Sequence, residues 1–127
     1  LSRLCNVLKN RPELAGIGPK LMIENDEIWS LGGSFNKKGL FPKNLRKIAK
    51  KEKDLKFVDW LDGACVLVKI EDYKSVNGYP EEYFIYMEDV ALGIEFARIN
   101  KCLAVDTTVV ATQRSSGAPR FYAIRNN

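Results

Sequence analysis

Histidine is absent from this chain of 127 residues. Its absence excludes Ser-His-Asp and Cys-His nucleophile systems, histidine general bases and most zinc catalysis. Any acid–base chemistry therefore depends on carboxylates, lysine, tyrosine or cysteine side chains. Long apolar stretches are absent as well, since no run approaches the ~20 residues that a helix needs to span a bilayer.

Cysteines are few, and Cys5, Cys65 and Cys102 lie far apart in the sequence. An odd number at wide spacing favours neither a disulfide framework nor a zinc site. Cys65 and Cys102 lie within apolar runs, so we expect them to be buried thiols in a reducing compartment. This interpretation predicts a cytoplasmic location.

The composition and the hydrophobic pattern are those of a globular unit. Hydrophobic residues make up 46% of the chain and charged residues 28%, which is typical of folded proteins. Apolar periodicity predicts helices at residues 1–8 and 88–100, whereas residues 14–22 and 64–68 are apolar enough to form buried strands. The mixture of helices and strands favours the α/β fold class.

A basic stretch between residues 43 and 56 supplies much of the net charge of +4. Its periodicity predicts a short helix at residues 45–51. Its cations can bind an anionic membrane surface, a lipid pyrophosphate or nucleic acid, although a solvated surface explains the same pattern. No aromatic residue is interleaved with the cations, which disfavours nucleic acid. The cations are Lys43, Arg46, Lys47, Lys50, Lys51, Lys53 and Lys56.

Glu88 and Asp89 form an acidic pair at the start of the predicted helix 88–100. They follow an aromatic segment, residues 83–86, that ends at Tyr86. Aromatic rings suit the faces of sugars, and a carboxylate can accept a proton from a sugar hydroxyl. The alternative is structural, because acidic residues at a helix start cap its free N–H groups and interact favourably with its dipole.

Two further segments are candidates for ligand binding. Trp60, Asp62 and Gly63 precede the predicted strand 64–68, and an aromatic ring beside a carboxylate can bind a sugar ring. A tight turn that requires Gly63 for its backbone conformation is the alternative. Arg114 lies in a polar segment, where its guanidinium can bind a phosphate.

Five segments carry a specific combination of motifs: AGIGPKL (15–21), GGSF (32–35), VDWLDGACVLVK (58–69), VNGYPEEYFIYMEDV (76–90) and RFYAIRN (120–126). In the same order, they resemble the GPKL and GGSF segments, the D-W-x-x-G-A strand, the GGFDE-x-FF-x-Y-x-EDVDL run and the FYYYRN ending of family 2 glycosyltransferases. The rhamnosyltransferase-like members are the most similar. The resemblance covers nearly the whole chain, and its order and spacing are more specific than any one motif.

The resemblance implies the C-terminal portion of a GT-A fold, the Rossmann-like fold of nucleotide-diphospho-sugar transferases, with a mixed sheet. Residues 1–127 would be a single partial domain, the acceptor-binding half. The missing N-terminal half would bind the nucleotide-sugar and carry the metal-binding D-x-D motif. A helix that starts at residue 1 without a preceding cap fits this expectation. A divalent metal, Mg²⁺ or Mn²⁺, is therefore expected for the longer protein and not for this chain alone.

The resemblance also implies an activity, an inverting sugar transfer, and the residues that perform it. Asp89 would be the general base that deprotonates the acceptor hydroxyl, and Glu88 would orient or charge-balance it. The acceptor pocket would be lined by Trp60, Asp62, Gly63 and Tyr86.

The implied partners are a nucleotide-sugar donor and a glycan or lipid-linked acceptor in cell-surface polysaccharide synthesis. The work would take place in the cytoplasm at the inner face of the membrane, with residues 43–56 as a contact to the membrane surface. We expect this chain alone to be inactive, and to self-associate through apolar surface left exposed by the missing half.

Three positions depart from the family's pattern. Ala91 and Glu95 stand where the family has a second acidic residue and a helix arginine, and no histidine is present near residues 111–113, where one helps to bind metal and pyrophosphate. Arg114 would neutralise the pyrophosphate instead. These departures favour an alternative function, a non-catalytic module that binds a glycan or a partner enzyme, whereas the retained acidic pair favours the enzyme.

Overall fold

The computed structural model describes residues 1–24, 26–36, 42–48, 54–83 and 87–114. Within these ranges the chain forms three helices and seven strands. In chain order they are α1 (Ser2–Lys9), β1 (Leu14–Ile23), β2 (Ile28–Ser30), β3 (Gly33–Phe35), β4 (Pro42–Asn44), β5 (Leu55–Val58), β6 (Leu67–Val68), α2 (Ile70–Ser75), α3 (Glu88–Arg98) and β7 (Cys102–Gln113).

One mixed sheet is built around the parallel pair of β1 and β7. β5 pairs antiparallel with β7 on the side away from β1, and both β2 and β6 pair antiparallel with β1. β3 and β4 form a separate two-stranded antiparallel sheet. This architecture confirms the predicted α/β class with a mixed sheet, and it is compatible with a Rossmann-like fold.

The predicted first helix and first strand are both confirmed. Leu14 and Ile17 on β1 are completely buried, because β7 covers one edge of the strand while β6 and then β2 cover the other. A strand enclosed in this way is continuously apolar in sequence. Leu4 and Leu8 of α1 complete this part of the core by packing against the buried side chains of β1.

A buried carboxylate attaches α1 to the sheet. The register between β1 and β7 shifts at Pro19, which has no N–H for a ladder hydrogen bond. Directly opposite, the fully buried Asp106 accepts hydrogen bonds from the Thr108 N–H (3.0 Å) and from Arg3 Nε (2.7 Å). Burial works against the ionised form, but the bonds from Thr108 and the charge of Arg3 outweigh it and lower the pKa of Asp106.

The third helix confirms the strongest helical prediction and lies against the core. α3 spans Glu88–Arg98 and buries Val90, Leu92 and Phe96. The last two join a cluster that also contains Leu31, Leu61, Leu103 and Val105. α3 is therefore fixed against the sheet by its apolar face, and its first turn is held in a defined place.

Trp60 joins three separate parts of the fold. It bridges to Gly33 through a backbone hydrogen bond from the Gly33 N–H to the Trp60 carbonyl (2.9 Å). A Cβ atom at Gly33 would overlap the Trp60 indole ring, and a Cβ at Gly93 on α3 would overlap the Asp59 carbonyl and lie 2.9 Å from the Trp60 Cβ. Gly33 therefore makes room for the buried indole, and Gly93 lets α3 approach the backbone at Asp59 and Trp60.

Two local predictions were wrong. The predicted basic helix does not form at residues 45–48, which follow β4 without regular structure; residues 49–51 lie outside the described ranges. The backbone of Leu45 is instead hydrogen-bonded in extended conformation, with its N–H on the Gly32 carbonyl (2.9 Å) and its carbonyl accepting from the Leu31 N–H (2.7 Å), which continues the pairing of β4. The predicted strand 64–68 is reduced to β6 because the Asp62 side chain accepts a hydrogen bond from the Ala64 N–H (3.0 Å), which forms a turn.

The prediction of buried thiols was also wrong. Cys65 and Cys102 are both exposed, and Cys5 is partly buried. Cys65 lies in the turn before β6, and Cys102 is the first residue of β7, so neither reaches the enclosed part of the sheet. Among the described helices, none is both long and apolar enough to cross a membrane.

We predict that Gly33→Ala destabilises the chain by about 1–3 kcal/mol, because the new methyl group must displace the Trp60 indole from a packed core. Urea unfolding followed by tryptophan fluorescence measures the change. Gly63→Ala is the matched control, since a Cβ there lies no closer than 3.9 Å to the nearest atoms. Equal unfolding midpoints for Gly33→Ala and the unmodified chain would contradict the packing described here.

Candidate active site at the start of α3

The first turn of α3 presents the acidic pair that the sequence singles out. Met87, with φ of 71°, turns the chain sharply into the helix and occupies the N-cap position without a side-chain cap. Glu88 and Asp89 are therefore the first two helical residues. The helix dipole favours negative charge at both positions.

Asp89 holds the helix start and also reaches beyond it. Its Oδ1 accepts a hydrogen bond from the Val90 N–H (2.8 Å), and its Oδ2 accepts one from the Gly63 N–H (3.3 Å). The alternative explanation, that the acidic pair caps the helix, is therefore correct in part, because one oxygen does accept a hydrogen bond from a backbone N–H at the helix start. The second oxygen links the helix to the segment after Trp60, which no capping function requires.

The surroundings of Asp89 make it a stronger base than an ordinary aspartate. Burial disfavours its charged form and raises its pKa to about 6. The hydrogen bonds from Val90 and Gly63 act in the opposite direction, while the nearby charges of Glu88 and Asp62 raise the pKa further. At neutral pH the carboxylate is ionised, yet its pKa is close enough to neutrality for it to accept a proton.

Glu88 and Gly63 define the accessible side of this site. A buried oxygen of Glu88, Oε2, has no hydrogen-bond partner among the described residues. Such an oxygen is a strong acceptor that lacks a donor. Gly63 is exposed, and a Cβ there would lie 3.9 Å from both Glu88 Oε1 and Asp89 Cβ. A larger side chain at Gly63 would therefore cover the carboxylates.

The structure changes the explanation for Gly63. Only Gly32 and Gly78 among the described glycines have a left-handed φ, so the turn does not need glycine at position 63 for its backbone conformation. Asp62 beside it is partly exposed and uses one oxygen to hold this turn. The absence of a side chain at Gly63 instead leaves the acidic pair accessible.

The remaining candidate residues, predicted from the sequence, have no described contact with Asp89. Trp60 is only 7% exposed, and its Nε1 has no hydrogen-bond partner in the described ranges; contact between its ring and a sugar stays a prediction. Tyr86 lies outside the described residues. Arg114 is 91% exposed and forms an ion pair with Glu24 (3.1 Å). No described contact links Arg114 to Asp89.

Tyr79 belongs to the site although the sequence analysis did not single it out. Together with Asp89 it lines a small pocket, about 10 Å³ in volume, whose other walls are Leu61, Val66, Val68, Leu92, Gly93, Phe96 and Leu103. Burial raises the pKa of the Tyr79 phenol, and the charge of Asp89 raises it further, followed by Tyr73 and the charge of Glu88. Tyr79 and Asp89 thus share one pocket, and the pKa of each responds to its burial there.

A signal for Tyr79 was present in the sequence. The motif run of the resembling family, GGFDE, has phenylalanine where this chain has Tyr79. The replacement keeps the aromatic ring and adds a hydroxyl, which packing of the ring does not require. Its proximity to Asp89, which is ten residues further along the chain, becomes visible only in the folded structure.

Comparisons with known proteins give short local similarities. No family profile matches the chain. A stretch of 36 residues, 28% of this chain, is 53% identical to an N-acetylglucosaminyl-diphospho-decaprenol L-rhamnosyltransferase of Mycobacterium tuberculosis, of which it covers 12%. A stretch of 67 residues, 53% of this chain, is 36% identical to rhamnosyltransferase WbbL of Escherichia coli strain K12, of which it covers 21%. The chain thus spans a small part of the relatives it matches, and over that part it is similar to rhamnosyltransferases.

We predict that the Asp89 carboxyl titrates near pH 6 in the folded chain, which carbon-detected NMR of its side chain measures. Because this value lies above the usual 3.8, the folded state holds the proton more tightly than the unfolded chain. The stabilisation from this residue is therefore complete below about pH 3.8 and is lost as the pH rises through about 6. Asp89→Asn should accordingly stabilise the chain more at pH 8 than at pH 4. Titration near pH 4 would contradict the burial described for this group.

Proposed function

We propose that this chain is the acceptor-side part of an inverting glycosyltransferase, which transfers a hexosyl or rhamnosyl group from a nucleotide-diphosphate donor to a glycan or lipid-linked acceptor. The observation that carries the proposal is the Asp89 carboxylate, with its pKa of about 6 and with exposed Gly63 beside it. The local similarity to rhamnosyltransferases supports the same reaction class.

Asp89 is the general base of the proposed reaction. Its carboxylate removes the proton from an acceptor hydroxyl while that oxygen forms a bond to the anomeric carbon of the donor. The bond from the anomeric carbon to the nucleoside diphosphate breaks on the opposite face, and the leaving group takes the electron pair. One such displacement inverts the anomeric centre. The charge of Glu88 makes Asp89 more basic and so favours the proton transfer.

We propose that the donor nucleotide-sugar is bound by a part of the protein outside this chain. A nucleotide-binding half with a D-x-D motif would hold Mg²⁺ or Mn²⁺, which neutralises the pyrophosphate leaving group. Among the described residues, no three histidine, cysteine, aspartate or glutamate side chains are grouped to hold a metal ion. We therefore expect no transfer by this chain alone.

Contact with a membrane surface is part of the proposal for a lipid-linked acceptor. Lys43, Arg46 and Lys47 are exposed, and the Arg46 guanidinium lies over the Trp29 ring at 5.0 Å. Cations beside an indole suit an anionic lipid interface. Contact of these cations with a membrane fits polysaccharide synthesis at the inner face of that membrane.

Self-association of the isolated chain stays a prediction.

A binding module is the second candidate function. It is favoured by Ala91, which replaces an acidic residue of the family's motif, and by the lack of histidine throughout the chain. In such a module the acidic pair would bind sugar hydroxyls without moving a proton. Replacement of Asp89 distinguishes the two functions.

In the full-length protein, Asp89→Asn should lower the rate of sugar transfer about 10²–10⁴-fold, because the amide cannot accept the proton. The assay supplies a panel of nucleoside-diphosphate sugars that includes L-rhamnose, with N-acetylglucosaminyl-diphospho-decaprenol as acceptor. Acceptor binding should persist, since the amide keeps an oxygen for hydrogen bonding. Glu95→Gln is the matched control, because it removes the same charge further along α3. Unchanged transfer by Asp89→Asn would exclude it as the base.

Arg114 is the proposed partner of the donor pyrophosphate in place of the missing histidine. Among the described residues its exposed guanidinium pairs with Glu24 on the surface, a partner that it can exchange for a phosphate. Arg114→Ala should lower transfer by at least tenfold, whereas Glu24→Gln should leave transfer equal or faster. Full turnover by Arg114→Ala would refute this assignment.

A further inference from the structure

The acidic pair supplies hydrogen-bond acceptors to a sugar, but no donors. Ionised carboxylates only accept hydrogen bonds, so a donor directed at a hydroxyl next to the attacking one would add to the orientation of the sugar. Among the described side chains that line the pocket beside Asp89, Tyr79 carries the only hydroxyl. The other described walls are apolar, which makes the Tyr79 hydroxyl the candidate donor of this pocket.

Tyr79 is held rigidly by its own neighbours. Its N–H donates to the Tyr73 hydroxyl (3.3 Å), and the two rings meet edge to face with centroids 5.8 Å apart. Gly78, with φ of 72°, makes this contact possible, because a Cβ there would lie 2.9 Å from the Tyr73 ring and hydroxyl. The Tyr79 ring is thus held in the pocket that Asp89 also lines before any ligand arrives, which lowers the entropic cost of using it.

We propose that the Tyr79 hydroxyl is an acceptor-binding group, which donates a hydrogen bond to the acceptor sugar and sets the attacking hydroxyl against Asp89. The inference rests on the proposed transferase function and names a residue that this function requires on the acceptor side. The pocket is far smaller than a sugar ring. The acceptor therefore lies across its mouth, beside exposed Gly63, with a single hydroxyl directed inward.

The protonation state of the phenol suits this role. Burial and the Asp89 charge raise the pKa of Tyr79 above its usual value of 10.0, so the hydroxyl keeps its proton at neutral pH. Asp89, with a pKa of about 6, is ionised under the same conditions. The site therefore offers one fixed donor and one fixed acceptor to the same sugar.

The test is Tyr79→Phe in the full-length protein, with the transfer assay described above. We expect the KM for the acceptor to rise about tenfold or more, with the KM for the donor unchanged. Tyr73→Phe is the control: it removes the hydroxyl that holds the Tyr79 backbone but leaves the Tyr79 hydroxyl in place, and it should raise the acceptor KM less. Equal urea midpoints for the two variants and the unmodified protein exclude a folding defect.

Each outcome decides between the two proposals. Unaltered acceptor KM in Tyr79→Phe, with active unmodified protein, would overturn the role of Tyr79 and leave the transferase function intact. An equal rise in Tyr73→Phe and Tyr79→Phe would also overturn it, because ring placement would then explain the effect. Transfer by the full-length protein that is unchanged in Asp89→Asn would overturn both proposals together, because the role of Tyr79 depends on Asp89 as the base.

Discussion

The packing of Trp60 between Gly33 and Gly93 is the constraint on which the rest of the site depends. The indole fills the space that a side chain at Gly33 would occupy, and the Asp59 carbonyl and the Trp60 Cβ fill the space that one at Gly93 would occupy. This close approach fixes the backbone at Asp59 and Trp60 against α3. The Gly63 N–H consequently lies within hydrogen-bond reach of Asp89. A core contact of Trp60 thus determines where the Asp89 carboxylate is held.

The same packing explains why Asp89 can act as a base near neutral pH. Removing a carboxylate from water disfavours its charge, and two backbone N–H groups compensate for only part of that loss. A third donor would lower the pKa and weaken the base, whereas full burial without donors would keep the group protonated. The intermediate arrangement, with two donors and with Glu88 as a neighbouring charge, gives a pKa of about 6.

Sequence reasoning succeeded where the determinants are local. The apolar period of α3 and the continuous apolar character of β1 follow from their own residues, and the acidic pair is recognisable from its motif. It failed where distant contacts decide the structure. Leu45 continues the backbone pairing of β4 instead of starting a basic helix, and Cys102 is exposed because it is the first residue of β7. The hydroxyl of Tyr79 acquires its importance only when α3 folds beside it.

The charges of the site divide the proposed reaction between two surfaces. A helix N-terminus ordinarily attracts phosphate, but in α3 the chain's own Glu88 and Asp89 occupy that position. Two carboxylates in a partly buried site repel a pyrophosphate strongly, and the neutral Tyr79 hydroxyl does not offset them. The acidic site therefore suits an uncharged sugar hydroxyl, and the phosphates of donor or lipid must approach elsewhere. In the proposed reaction, exposed cations such as Arg114, Arg46 and Lys47 would provide such surfaces, so recognition of the acceptor sugar and recognition of phosphate would rest on different parts of this chain.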